Sequence, residues 1–250
     1  RRMKMRTPSS GERYGSKHMI ERQMLLWNVR HRAVEAGSSE GPAPRYRFVT
    51  LSRLVGSMTD NIARDLSEHL GWHVFDKEIV DYISQNSRVR QTLVEQLDEK
   101  VQNLLQDTIQ RFLSMAEGGS FGFEEYHEAL LKTLDFVAAR GDAILVGRGA
   151  NFALRDRDGL HVRIVASPEV RALRLSQRWS LSVEEARKRM QVADQERRDF
   201  IRRHFKHDPE DLRYYDLIFN TDVISTRQVV CSIVGALNLP PVTAEKKSQT

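Results

Sequence analysis

One stretch of the sequence, residues 46–71, limits the folds that are open to this chain. It begins with a short β-prone run at 48–51, turns at Gly56 and Ser57, and continues in a helical pattern that ends at Gly71. A strand, a glycine turn and a helix in this order form the layout of a phosphate-binding loop, in which main-chain N–H groups and a helix N-terminus point at an anion. The stretch therefore predicts a nucleotide site.

The residues of that turn depart from the usual phosphate-loop motif. The motif reads G-x-x-x-x-G-K-[ST], and this chain has no Gly-Lys pair at the turn. Asp60 adds a negative charge, which opposes the binding of a polyphosphate. Met58 adds a side chain where the close approach of a backbone to a ligand favours glycine. The layout thus indicates a nucleotide site, while the local chemistry of the loop is degenerate.

Short apolar segments alternate with helical ones along the rest of the chain. We predict strands at residues 46–52, 73–76, 143–147, 161–166 and 216–220. Such alternation implies a parallel sheet covered by helices on both faces. The predicted fold class is therefore α/β, with three layers and a five-stranded parallel sheet. Ligands of such folds bind beyond the carboxyl ends of the strands.

The predicted carboxyl ends of the strands carry small, acidic and basic residues. These residues are Ser52, Arg53, Gly56, Asp76, Gly147, Arg148, Gly149, Ser167 and Asn220. Arg148 is the strongest single candidate for function, because an arginine between two glycines after a buried strand has little structural purpose. We expect these residues to gather at one edge of the sheet.

Several helix boundaries and one apolar segment are also marked in the sequence. Ser182 and Glu185 form a capping box that opens a helix to about Arg203. Pro168 suits the first turn of the helix before it. Cys231 lies between valine and isoleucine residues, so we predict that it is a small buried residue.

The net charge of +5 arises from the N-terminal segment. Residues 1–45 hold ten Lys and Arg against four Asp and Glu, whereas the rest of the chain is nearly neutral. We interpret residues 1–44 as a basic, partly flexible arm, in which residues 18–36 form a helix that docks on the domain or on a protein partner. A solvated arm is favoured over one that binds nucleic acid, because no base-reading motif accompanies the charge.

Two further features concern the compartment. No apolar run reaches the roughly 18 residues that a membrane span requires, so no membrane partner is expected. A single cysteine excludes an internal disulfide and favours a reducing compartment, which we take to be the cytoplasm.

Six short stretches, in order and in spacing, resemble those of the cytidylate kinase-like family, which belongs to the P-loop nucleoside monophosphate kinase superfamily. They are residues 50–53 with 56–57 and 62–64, 75–79, 146–149, 166–171, 194–197 and 215–220. The resemblance runs from about residue 46 to 238 and does not cover the arm. It implies a P-loop NTPase-type domain at 45–240, with a helical acceptor-binding insertion at about 78–140, an arginine-rich lid at about 168–205 and a polar tail at 241–250.

The resemblance also implies an activity. It is phosphoryl transfer from ATP, with Mg²⁺, to a nucleoside monophosphate, typically CMP or dCMP. Such transfer depends on positioning and charge neutralisation. The residues implied at the donor phosphates are Ser52, Arg53, Gly56, Ser57, Thr59 and Asn61. Those implied at the acceptor are Asp76, Arg148, Gly149, Asp194 and Arg197.

Particular roles follow from the same resemblance. Arg148 resembles the arginine that clamps the acceptor phosphate, and Arg171, Arg174 and Arg178 resemble lid arginines that close over the transferring group. When the loop is aligned on Gly56 with the usual loop of the family, Thr59 takes the position of the lysine. Asn61 takes the position of the residue whose hydroxyl binds the metal.

Each of these assignments has an alternative. The three lid arginines also fit a solvated helix face, and Asp194 with Arg197 also fits an ordinary surface ion pair. At the level of function, the alternative is a catalytically degenerate kinase fold that binds a nucleotide or a protein without turnover. The acceptor and lid residues favour the kinase, whereas the altered loop favours the binding role.

Overall fold

The structure, a computed structural model, describes residues 46–95, 97, 99–113 and 122–238. The arm at 1–44, its docking segment at 18–36 and the tail at 241–250 lie outside the described residues. The strands are β1 (Phe48–Arg53), β2 (His73–Phe75), β3 (Ala143–Val146), β4 (Gly159–Val165) and β5 (Leu217–Asn220). The helices are α1 (Thr59–Leu70), α2 (Lys77–Gln85), α3 (Ser87–Glu95), α4 (Glu99–Leu104), α5 (Gln106–Leu113), α6 (Phe123–Arg140), α7 (Ala150–Ala153), α8 (Pro168–Trp179), α9 (Val183–Phe205) and α10 (Thr226–Asn238).

The strands form one parallel sheet in the order β2-β3-β1-β4-β5. This arrangement confirms the predicted α/β fold with a five-stranded parallel sheet. β1 lies at the centre, where Leu51 pairs with Val146 of β3 and Ser52 pairs with Arg163 of β4. The carboxyl ends of these three strands therefore meet at one edge of the sheet.

A hydrophobic core joins the sheet to α1 and α10. Val49 and Leu51 of β1 pack in one buried cluster with Ile62 and Leu66 of α1 and with Val229 and Ile233 of α10. The burial of Cys231 was predicted wrongly, since this residue is exposed. The reason is helical geometry: residues four apart, such as 229 and 233, share a face, and residue 231 points away from it.

The structure confirms the predicted helix starts at 168 and 182. The Ser182 hydroxyl accepts a hydrogen bond from the Glu185 N–H, and the Glu185 carboxylate accepts one from the Ser182 N–H, which completes the capping box. Ser167 caps α8, and Pro168 follows in its first turn. α8 and α9 pack on each other through Leu175, Ala186 and Met190. This helix pair supplies most of the arginines of the candidate site.

The chain divides into two compact units. The described part of 81–132 forms a helical unit, in which the side chain of Arg90 is buried and donates a hydrogen bond to the Ser84 carbonyl at 3.0 Å near the end of α2. Residues 46–80 and 133–238 form the unit that contains the sheet. The domain, insertion and lid bounds stay predictions. Within the described ranges, no helix has both the length and the apolar character needed to cross a membrane.

Candidate active site

The turn between β1 and α1 has the backbone path of a phosphate-binding loop. Gly56 has φ +81°, and a Cβ at this position would meet the side chain of Leu175 at 3.0 Å. Met58 has φ +65°, in the left-handed region that disfavours residues with a Cβ. The loop therefore keeps a glycine-type conformation at a position where the chain carries methionine. We name residues 54–60 the donor loop.

The donor loop is held from outside by three groups that bind its consecutive carbonyls. The guanidinium of Arg171 donates to the Val55 carbonyl at 3.1 Å, and that of Arg174 donates to the Gly56 carbonyl at 3.5 Å. The Thr221 hydroxyl donates to the Ser57 carbonyl at 3.3 Å. These bonds fix the carbonyls on the side of α8 and β5.

The main-chain N–H groups of the loop divide into two sets. The Val55 N–H donates to Asp194 at 2.9 Å and the Ser57 N–H to the Leu54 carbonyl at 3.3 Å. Within the described residues, the N–H groups of Gly56, Met58 and Thr59 have no hydrogen-bond partner. Successive N–H groups at a helix N-terminus form a site for an anion. The donor loop therefore offers three N–H groups to a ligand although the loop lysine is absent.

A cavity of about 720 Å³ lies over the donor loop, and we call it the donor cavity. Its lining includes Met58, Thr59, Asp60, Asn61 and four arginines, which are Arg53, Arg174, Arg178 and Arg197. Asp60 forms ion pairs with Arg53 and, at 3.2 Å, with Arg178. The cavity therefore presents four positive charges against one carboxylate, which suits a polyanion.

The three predicted lid arginines occupy different environments. Arg171 is buried and donates to the carbonyls of Ala166 and Val55 and to Asp194. Arg174 donates to the Thr221 carbonyl at 2.6 Å and to the Thr221 hydroxyl at 3.1 Å. Arg178 has a side chain that is 65% exposed. Arg178 is therefore the one of these three with the greatest freedom to move toward a ligand.

A second cavity, of about 350 Å³, opens at the carboxyl ends of β1, β3 and β4, and we call it the acceptor cavity. Arg148 lines it, with its guanidinium carbon 4.5 Å from the centroid of the Phe200 ring. The backbone of Arg148 has φ +52° and lies between Gly147 and Gly149, which also have positive φ. A non-glycine residue in this conformation costs about 1–2 kcal/mol, and such strain concentrates at functional sites.

The acceptor cavity also contains residues that the sequence analysis missed. Arg163 of β4 is buried and donates to the Tyr215 hydroxyl at 3.0 Å and to Glu210 at 2.6 Å. Lys77, Asn151 and Phe200 line the same cavity. A signal for Arg163 is present in the sequence, because it is a charged residue inside an otherwise apolar strand of a parallel sheet.

Arg53 and Arg197 line both cavities, so the two cavities meet at this pair. Burial lowers the pKa of Arg197 from its ordinary value, and the neighbouring charge of Arg53 lowers it further. Asp194, at 3.8 Å, opposes this shift. Two arginines in this setting favour an anion at the junction, because an anion offsets both their desolvation and their mutual repulsion.

The remaining predicted residues lie as follows. Asp76 caps α2, where its carboxylate accepts hydrogen bonds from the N–H groups of Glu78 at 2.9 Å and Ile79 at 3.0 Å. Ser52 and Gly149 line the acceptor cavity, and Ser57 and Asn61 line the donor cavity. The Thr59 hydroxyl contacts that of Ser57 at 2.9 Å. The structure thus brings most of the predicted residues to two adjoining cavities, and their roles stay predictions.

The side chains around the donor loop do not fit a resident magnesium ion. Both oxygens of Asp60 contact arginines, and the hydroxyls of Ser57 and Thr59 contact each other. Within the described residues, no group of three or more His, Cys, Asp or Glu could hold a metal. Magnesium usually binds to proteins through one or two carboxylates together with substrate phosphates. These residues present no carboxylate free for that purpose.

A parallel sheet of this strand order, with a glycine turn after its central strand and arginines on an adjoining helix pair, has the layout of a P-loop type of fold. The sequence profile of the cytidylate kinase-like family matches residues 48–223. The chain therefore belongs to the cytidylate kinase-like family, which confirms the resemblance.

Individual relatives agree with this assignment. The chain is 28% identical to a cytidylate kinase of Methanopyrus kandleri, over 76% of this chain and 92% of the relative. It is 29% identical to a cytidylate kinase of Methanothermobacter thermautotrophicus, over 70% of this chain and 95% of the relative. Among solved structures, an uncharacterized protein of Eubacterium ventriosum has 17% identity and a TM-score of 0.56, over 76% of this chain and 97% of that one. This last likeness concerns the fold alone.

Proposed function

We propose that this protein is a nucleoside monophosphate kinase that transfers the terminal phosphoryl group of ATP to CMP or dCMP. The observation that carries the proposal is that Arg53 and Arg197 line both the donor cavity and the acceptor cavity. A group that passes from one cavity to the other must pass these two arginines. Phosphoryl transfer requires positive charge at that point, because negative charge is spread over the transferring group.

The proposed reaction is a direct displacement. An oxygen of the acceptor phosphate forms a bond to the terminal phosphorus of ATP, while the bond from that phosphorus to the bridging oxygen breaks and ADP leaves with the electron pair. The N–H groups of Met58 and Thr59 hold the donor phosphates, Arg148 holds the acceptor phosphate, and Arg53 and Arg197 neutralise the group in transit. Mg²⁺ would enter only as part of the ATP substrate, because the described residues around the donor loop present no free carboxylate to hold it.

A cytosine acceptor is supported by two observations. The curated relatives that the chain resembles are named cytidylate kinases. In addition, the acceptor cavity contains both the carboxylate of Glu210 and the guanidinium of Arg163. One oxygen of Glu210 accepts the hydrogen bond from Arg163, and the other can accept one from an exocyclic amino group, as in the readout of cytosine N4 by Glu or Asp.

The second candidate is a protein that binds a nucleotide without turnover. It is favoured by Met58 in the left-handed region and by the ion pairs of Asp60 with Arg53 and Arg178. Both features add bulk or negative charge where donor phosphates would lie. They oppose donor binding but leave the acceptor cavity intact.

The test is ADP formation from ATP and Mg²⁺ with CMP, dCMP, UMP, AMP and GMP in turn. Arg148→Ala serves as the site variant, and Arg187→Ala as the matched control, because Arg187 forms an exposed ion pair with Glu169 at 3.3 Å outside both cavities. We expect turnover with CMP or dCMP, a fall in kcat/KM of about a hundredfold or more in Arg148→Ala, and no change in Arg187→Ala.

Two other results would change the assignment. Absence of turnover with every acceptor, together with measurable binding of CMP to the folded protein, would favour the second candidate. Turnover that is equal in Arg148→Ala and Arg187→Ala would remove Arg148 from the site. Binding of CMP by calorimetry separates these results from simple misfolding.

A further inference from the structure

Asp60 lies between two arginines in the donor cavity. It is in the first turn of α1, with its Oδ1 on Nη1 of Arg53 and its Oδ2 on Nη1 of Arg178. Arg53 ends β1, and Arg178 lies in the last turn of α8. One carboxylate thus joins two elements that flank the donor loop. Each oxygen faces a different guanidinium, as the oxygens of a phosphoryl group can do between two arginines.

The ion pair of Asp60 with Arg178 is weak enough to be exchanged. Arg53, the other partner of Asp60, has a side chain that is 20% exposed, whereas the side chains of Asp60 and Arg178 are 52% and 65% exposed. Pairs of this exposure contribute little, about 0–1 kcal/mol, because water screens them. A phosphoryl group with about two negative charges attracts the same arginines more strongly than one carboxylate. The contact is therefore well suited to displacement by a ligand.

We propose that Arg53 and Arg178 form a subsite for the terminal phosphoryl group of a polyphosphate. In the absence of a ligand, the carboxylate of Asp60 occupies this subsite. A donor must displace Asp60 to bind, so Asp60 weakens donor binding and disfavours donors of low charge. This inference rests on the proposed function, since it names the donor chemistry of the same cavity. Arg178, once released, is free to move from Asp60 to the phosphate.

Two other roles for Asp60 make different predictions. If it were an ordinary surface ion pair, its loss would leave phosphate binding unchanged. If it were a ligand for magnesium, its loss would weaken binding only when Mg²⁺ is present. Occupancy of the subsite by Asp60 predicts tighter binding on loss of the carboxylate, with or without the metal, which neither of these two roles predicts.

The experiment measures binding of inorganic tripolyphosphate to the full chain by calorimetry, in EDTA and again in Mg²⁺. The site variant is Asp60→Asn. The matched control is Asp65→Asn, which removes the same charge from the same helix but from a residue paired with Arg64 at 3.0 Å outside the cavity lining. We expect a Kd lower by roughly tenfold in Asp60→Asn, because a like charge beside the ligand is removed and two arginines are freed. Asp65→Asn should change Kd by less than about twofold.

A further variant tests the arginine side of the contact. The double variant Asp60→Asn with Arg178→Gln should lose the gain in affinity for tripolyphosphate, because the guanidinium freed by the first change is absent. Equal Kd values for Asp60→Asn and Asp65→Asn would overturn the inference, and so would weaker binding in Asp60→Asn. If Asp60→Asn fails to fold, Asp60→Ser replaces it under the same criteria.

The outcome is independent of turnover, because tripolyphosphate has no base and the measurement needs no acceptor. Tighter binding in Asp60→Asn without phosphoryl transfer to any nucleoside monophosphate would support the subsite and refute the kinase. Turnover in the unmodified chain, without tighter binding of tripolyphosphate in Asp60→Asn, would support the kinase activity. It would refute the proposal that Asp60 occupies the subsite.

Discussion

Asp194 accepts a hydrogen bond from the main-chain N–H of Val55 at 2.9 Å, although the two residues are 139 positions apart in the sequence. The other oxygen of the same carboxylate accepts a hydrogen bond from Arg171. Asp194 thus joins the donor loop to both α8 and α9. Its side chain is 13% exposed and that of Arg171 is 7% exposed, so this pair is shielded from water.

The first prediction follows from this contact. Asp194→Asn keeps an oxygen for Val55 but removes the charge that Arg171 faces, so we expect a loss of about 1–3 kcal/mol in the free energy of unfolding. Urea denaturation measures it, with Glu196→Gln as the control, because Glu196 lies near Asp194 on α9 and lines the acceptor cavity. In the assay of the proposed kinase activity, KM for ATP should rise more than KM for the acceptor in Asp194→Asn. A rise in KM for the acceptor alone, with the free energy of unfolding unchanged, would instead indicate that Asp194 contacts the acceptor nucleotide.

The second prediction concerns the left-handed conformation of Met58. Met58→Gly should stabilise the fold by about 0.5–1 kcal/mol, because relief of the left-handed penalty exceeds the added entropy of the unfolded chain. Thermal unfolding measures the change. Asn61→Gly, inside α1, is the control and should destabilise, since glycine is a poor helix former. A lower melting temperature for Met58→Gly would show that the methionine side chain stabilises the loop by more than its backbone strain costs.

The third prediction compares two glycines. A Cβ at Gly149 would overlap the ring of Phe205, and Gly149 has φ +68°. We expect Gly149→Ala to destabilise by about 2 kcal/mol or more. Gly235 lies in α10 and has nothing within 4 Å of an added Cβ, so Gly235→Ala should stabilise by about 0.5–1 kcal/mol. Chemical denaturation of both variants tests these opposite effects. A change of stability in the same direction in both variants would contradict the prediction.

The fourth prediction concerns pH. His161 is buried, with its Nδ1 at 2.9 Å from the Thr50 hydroxyl. Burial lowers the pKa of His161 below its ordinary value of 6.5, although Asp216 opposes the shift. The unfolded chain therefore binds a proton at this residue before the folded chain does. Stability is fully present above about pH 6.5 and should fall as the pH decreases from there toward the folded-state pKa.

The variant His161→Gln tests whether this residue causes the dependence of the free energy of unfolding on pH. Urea denaturation between pH 8 and pH 5 should give a smaller fall in stability on acidification for the variant than for the unmodified chain. The comparison at pH 8 is the control, because the imidazole is neutral there in both states and the two proteins should show the same slope. An identical slope at low pH in both proteins would assign the effect to other groups.

The sequence predicts the fold well because the fold depends on local patterns. Apolar runs locate the strands, and Ser182 with Glu185 marks a helix start through contacts within one turn. The order of six short stretches then identifies the family. Cys231 is an instructive failure, since its apolar neighbours in the sequence do not share its helix face.

The candidate site was less predictable because its contacts are long-range. The sequence placed Arg171, Arg174 and Arg178 on one face of a helix but did not reveal that Arg171 and Arg174 bind loop carbonyls more than 100 residues away. It likewise gave no sign that Asp60 faces Arg178, 118 residues along the chain. Side chains of one type on one helix face can thus have different partners, and these partners depend on tertiary packing.

The hydrogen bonds from Arg171, Arg174 and Thr221 to three consecutive carbonyls have a consequence for how this loop is recognised in a sequence. The shape of the loop is supported by residues that lie outside it, so it does not depend on the usual loop residues alone. Loss of the usual glycine and lysine is then a change in the ligand chemistry of the loop, and not a loss of its structure. A search by the loop motif alone would pass over this chain, although the path of its loop is kept.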